Sequence, residues 1–142
     1  MIRFIYETDK YNKDREIVAI NVFRIAKTLL TLPTEIEVEF CQLEYIYGEL
    51  LLDYRFSKRI RLDENLSSKE IIIPFLHELI HLDQVQTNRL KPARHGVIWD
   101  NKFHDEKMIS LDRHIWSKLP WEVDVRERQP RLLQKLLEAG LS

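Results

Sequence analysis

Pro74–Gln84, PFLHELIHLDQ, is the stretch that decides the reading. His77-Glu78-Leu79-Ile80-His81 within it is an H-E-x-x-H pattern. Residues four apart on an α-helix lie on one face, about one turn apart, so the two imidazoles can converge on one metal ion. Glu78 projects beside them, within reach of water on that metal. Catalytic zinc takes three protein ligands and keeps one position for water, whose pKa it lowers to about 7. His77 and His81 thus offer two ligands, and Glu78 offers a base.

Three fixed positions also arise by chance, so the surroundings matter. Ile71, Ile72, Ile73, Phe75, Leu76, Leu79, Ile80 and Leu82 make the segment apolar nearly all round, as expected of a central helix. His77, His81, Gln84 and Asn88 fall on one narrow polar stripe. Buried polar groups need partners, and a metal would satisfy two of these. All 5 histidines fall between His77 and His114. The third ligand has four downstream candidates: His95, His104, Glu106 and Glu122. Glu122 follows Pro120-Trp121, where Pro at N1 opens a helix, and an acid in the first turn complements the helix dipole. His95, before Gly96, sits in an irregular stretch close enough in sequence to fold back. His104, Glu106 and His114 read as surface residues.

Around the motif, Ser67 and Glu70 have capping-box spacing, which predicts a helix from about 68 to 87, kinked or delayed by Pro74. Upstream, Glu16–Leu32 reads as a helix with a wide apolar face, ending before Pro33. Ile2–Tyr6 is a strand or a helix lead-in. Ile36, Val38 and Phe40 alternate with glutamates, so they share one face of a strand. Tyr45–Tyr54, with Gly48 as a candidate bulge, and Arg55–Leu62 are further strands. Arg55, Lys58, Arg59 and Arg61 read as a charged edge strand rather than a nucleic-acid contact. Leu90–His104 is hairpin-like, with Asp100-Asn101 as a tight turn. The C-terminal part is helical in two pieces, the second starting at Pro130 and closed by Gly140. The expectation is a single α+β domain over residues 1–142. It has an N-terminal helix, a small, mostly antiparallel twisted sheet, the central H-E-x-x-H helix and C-terminal helices.

Composition narrows the classes. The net charge of −1 disfavours a nucleic-acid-binding domain. The single Cys41 leaves no disulfide framework and no cysteine zinc ribbon. Neither a signal peptide nor a membrane span is visible, so a cytoplasmic protein without a membrane partner is expected.

HELIHLDQ (77–84), VIWDNKF (97–103) and LPWEVDVRERQ (119–129) resemble small zinc peptidases of the gluzincin type, the phage-encoded, minigluzincin-like kind. The order there is an HExxHxxQ helix, a hairpin with a W-x-x-K step and a PWE helix. The resemblance covers about residues 60–130 and implies a zincin-like fold. It implies His77, His81 and Glu122 as zinc ligands and Glu78 as the base, acting on a protein or peptide substrate. Asp124 and Val125 depart from that pattern, where a longer acid and a small residue are expected. A second resemblance, carried by His95-Gly96-Val97-Ile98-Trp99, is to SprT-like, DNA-associated proteases. It implies His95 as third ligand and a helix after Gly96. Tyr45, Tyr47, His95 and His114 are candidate donors to the transition state. A zinc-containing binding module with little proteolysis is the other alternative.

Overall fold

A computed structural model describes residues 1–51, 58–109 and 113–141, with backbone only for Met108, Arg113 and His114. The expected strand positions Leu52–Tyr54, Arg55 and Phe56, and the His114 side chain, lie outside the described residues.

Strand β1 (Ile2–Tyr6) leads into helix α1 (Lys13–Ala26), which is capped by the Asn12 side chain accepting from Asp14 and Arg15 N–H. Then come β2 (Ile36–Cys41), β3 (Gly48–Leu51) and β4 (Arg59–Asp63). Their order in the sheet is β1-β2-β4-β3. The pairs β1–β2 and β2–β4 are parallel, and only β3–β4 is antiparallel. The expected mostly antiparallel sheet is therefore corrected to a mixed one. Helix α1 carries the chain back across the sheet, so β2 must run parallel to β1. The chain then places β3 at the far edge before β4 fills the gap beside β2. Strand β4 is interior, which corrects the reading of Arg59 and Arg61 as edge charges. Both are paired with glutamates of the flanking strands: Arg59 with Glu37 and Glu39 at 3.4 and 3.2 Å, Arg61 with Glu49 at 2.9 Å.

The other sheet face carries Ile36, Val38, Phe40, Ile60 and Leu62, all buried, and packs on α1 and on α2 (Ile72–Gln86). Helix α1 buries Ala19, Val22, Phe23 and Ala26, while Ile17 and Ile20 are exposed, so its apolar face is narrower than expected. The capping-box bonds form, Ser67 N–H donating to Glu70 Oε1 at 3.0 Å and Glu70 N–H to Ser67 Oγ at 3.2 Å, but α2 starts only at Ile72, with no side-chain cap. They close a turn ahead of α2, and Pro74 falls in the helix's first turn, where a missing donor leaves no bond unmade. Asn88 (φ 62°) is not part of the polar stripe. It is the left-handed residue that ends α2, with Arg89 N–H bonded to Gln84 O.

A second, antiparallel sheet follows: β5 (Leu90–Ala93), β6 (Gly96–Trp99) and β7 (Lys102–Asp105). Asp100 and Asn101 both have positive φ, as a two-residue hairpin turn needs. After a 3₁₀ turn at Glu106–Met108 come the short α3 (Arg113–Trp116) and the long α4 (Pro120–Glu138). Helix α4 runs unbroken through Pro130, which corrects the expected two pieces. It ends on Gly140 (φ 96°), with Leu141 N–H bonded to Leu136 O and both leucines buried. Leu119 and Trp121, at its start, pack with Leu90 and Trp99 in a second apolar cluster under the small sheet. The architecture is α+β, and no helix among the described residues is long and apolar enough to cross a membrane.

Candidate metal centre

Helix α2 presents His77 and His81 from successive turns, with ring centroids 4.9 Å apart. Both turn Nε2 toward the carboxylate of Glu122, in the first turn of α4. His81 Nε2 is 2.9 Å from Glu122 Oε1, and His77 Nε2 is 3.2 Å from Oε2. Potential ligand atoms of His77, Glu78 and His81 also lie within 4.8 Å of one another, so two carboxylates compete for the role of ligand. The contacts separate them. Glu122 touches both imidazoles, whereas Glu78 Oε2 is buried without a hydrogen-bond partner. The two carboxylates thus differ in surroundings: one is bonded to both rings, and the other has a buried oxygen open to a proton or a ligand.

The imidazoles are oriented through Nδ1. His81 Nδ1 lies 2.8 Å from Gln84 Oε1. Gln84, fully buried, directs its amide nitrogen to Trp121 O and Asp124 Oδ2, both at 2.9 Å. Both of those are acceptors, so the amide cannot be flipped, and its oxygen requires a proton on His81 Nδ1. Nε2 is left to face Glu122. His77 Nδ1 faces Gln129 Oε1 at 3.3 Å. Asp124 also meets Arg128 at 3.2 Å and Arg89 at 3.4 Å, and Arg128 bonds Asp83 at 2.7 Å. Asp124, with Arg128, thereby joins α2 to α4.

Protonation follows from burial and charge. Burial alone would pull the His81 pKa down, but its bond to Glu122 and the charges of Glu78 and Glu122 outweigh this and raise it to about 9. Burial would raise Glu122, but hydrogen bonds from His77 and His81 bring it down to about 2. Glu78 is pushed above the usual carboxylate range, chiefly by burial and against the pull of the two histidines. The donor set fits zinc: two imidazole nitrogens and one carboxylate, converging, with ring orientations held from outside.

Of the other candidates, His95 sits in the β5–β6 turn, 70% exposed, with Glu106 3.4 Å away. The described contacts do not bring it to His77 or His81. Its backbone, at φ 63°, makes the turn, and Gly96 after it opens a strand rather than a helix. A side chain at Gly96 would strike His104 O at 2.2 Å, so this glycine serves the hairpin. His104 is less superficial than expected, its ring 5.3 Å from that of Trp121 and its Nε2 buried. Tyr45 and Tyr47 are exposed in the loop before β3.

Reading residues singly missed Asp124, Arg128 and Gln129 as partners of the site. Gln129 stands seven residues beyond Glu122, two turns along the same helix face, and that spacing was the available signal.

One more element borders the centre. A Cβ at Gly48 would lie 3.4 Å from Glu78 Cγ, so β3 runs against Glu78. Asp63 N–H donates to Tyr47 O, and Glu49 pairs with Arg61. In an antiparallel ladder this turns Tyr47, Glu49 and Leu51 toward β4, and the N–H and C=O of Gly48 and Leu50 away from it. Among the described residues no strand pairs with that side.

Comparison of the chain with protein families, curated proteins and solved structures returned no match.

Proposed function

We propose that the chain is a zincin-like zinc metallopeptidase in which His77, His81 and Glu122 hold the metal and Glu78 is the general base. The observation that carries this reading is the convergence of both Nε2 atoms on the Glu122 carboxylate, 2.9 and 3.2 Å away, beside the unpartnered oxygen of Glu78. Zinc there would supply a Lewis acid for a peptide carbonyl and would acidify water. Glu78 Oε2, free of partners, accepts the proton of the attacking water and returns it to the leaving amine. Gln84 holds the His81 ring through Nδ1. The outward N–H and C=O groups of Gly48 and Leu50 offer an extended peptide a strand to pair with, next to Glu78.

Two observations weigh against the DNA-associated reading with His95 as ligand. His95 meets Glu106 in an exposed turn, and Arg59 and Arg61 face glutamates.

Protein purified without added zinc should carry about one equivalent of metal, and His77→Ala should lose it. Glu78→Gln should keep the metal while hydrolysis of an unfolded protein substrate falls at least about 100-fold. Equal activity in Glu78→Gln would remove the base. Zinc without any hydrolysis in the unsubstituted protein would favour a binding module.

A further inference from the structure

We propose that Gln129 is the positioning residue for His77, accepting a hydrogen bond from Nδ1–H and so aiming Nε2 at the metal. The proposal rests on the zinc-site reading above and adds to it a residue that the H-E-x-x-H helix does not contain.

The two histidines are not equally supported. His81 finds its orienting group on its own helix, three residues on, at Gln84. The amide of Gln84 is locked by Trp121 O and Asp124 on its other side. His77 has no counterpart: the residue three positions on is Ile80. Its ring is also the more exposed, 26% against 8% for His81. An imidazole with one face in solvent turns about its Cβ–Cγ bond unless something holds Nδ1, and each turn takes Nε2 off the metal. Among the described residues, the group that meets Nδ1 is Gln129 Oε1, from α4. Glu122 and Gln129 lie seven apart on that helix, so they share a face. Between them, fully buried Val125 belongs to the core cluster that also contains Leu76 and Ile80 of α2. One rigid helix face therefore carries both the carboxylate that meets His77 Nε2 and the amide that meets its Nδ1, gripping the ring from both nitrogens.

The role is that of an acceptor, which makes the proposal testable by chemistry rather than by bulk. Gln129→Leu and Gln129→Met remove the acceptor at similar size; Gln129→Glu keeps it and cannot donate. Zinc affinity is measured by competition with a chromophoric chelator, and the ligand-field bands of the cobalt-substituted protein report the geometry at the metal. The Leu and Met variants are expected to bind zinc about 10- to 100-fold more weakly with altered cobalt bands. Their metal-free melting temperature should stay near that of the unsubstituted chain, since Gln129 is only half-buried. The Glu variant is expected to bind within a few-fold of the unsubstituted protein. Zinc affinity within twofold in both apolar variants overturns the proposal, and so does a Glu variant as weak as they are. If the unsubstituted protein takes up no zinc in the same titration, the metal-site reading itself falls, and that outcome is distinct from the other two.

Discussion

At the scale of the residue, Gly48 shows how closely the edge strand approaches Glu78. A methyl group there would stand 3.1 Å from Leu62 Cδ2, 3.4 Å from Arg61 O and 3.4 Å from Glu78 Cγ. The two 3.4 Å distances are ordinary van der Waals contacts, so for a methyl group only the end of the Leu62 side chain has to give, by a few tenths of an ångström. A branched side chain would reach past that contact, so Gly48→Val is expected to lower kcat roughly tenfold, because displacements well under an ångström matter to a general base. Zinc content should be unchanged. Steady-state kinetics with metal analysis on the same preparation checks this; an unaltered kcat would leave Gly48 as a packing residue of β3. The sequence offered Gly48 only as a candidate bulge, because what a glycine makes room for depends on a helix elsewhere in the chain. His77, Glu78 and His81 were readable because their geometry is internal to one helix. Glu122 needed the folded chain to bring it to them, as did Asp124 and Gln129.

At the scale of the element, the helices themselves were largely readable, since a period is local, but not their ends: α1 stops at Ala26 rather than Leu32, and α2 starts at Ile72 rather than near Ser68. The direction of the strands was not. Nothing in Arg59–Asp63 says that it slips between β2 and β3, and the parallel pairing of β2 with β4 follows from that placement alone. Pro130 illustrates tertiary packing overriding local preference. It sits inside α4, where it cannot donate to the carbonyl of Arg126, yet the helix continues to Glu138. Burial of Val125 on one side of it and Leu136 on the other holds the two halves in line. Because position 130 is exposed, Pro130→Ala restores the missing bond without disturbing the core. The variant is expected to be more stable by about 1–3 kcal/mol, measured by urea denaturation. An unchanged or lower midpoint would mean that the proline is accommodated without loss.

At the scale of the whole molecule, the centre links stability to pH in the metal-free protein. His81 is raised from 6.5 to about 9, so its contribution is complete below pH 6.5 and disappears as pH rises through 9. Glu122 is lowered from 4.5 to about 2, so its contribution is complete above pH 4.5 and disappears as pH falls through 2. The pair therefore supports the fold most strongly between about pH 4.5 and 6.5. The urea midpoint of chelator-treated protein should be higher at about pH 5.5 than at about pH 9.5, and Glu122→Gln should flatten the difference. A slope that survives Glu122→Gln would assign it to other groups. The hydrogen bonds that tie Gln84 to Trp121 and Asp124, and Arg128 to Asp83, have a different consequence. They fasten both ends of the intervening segment, from Thr87 to Leu119, to the same pair of helices. That segment is in effect a closed loop on a fixed base. Doubling the length of such a loop costs only about 0.6 kcal/mol in closure entropy, so its exposed turns at Arg94-His95 and Asp100-Asn101 can be lengthened while His77, His81 and Glu122 keep their places.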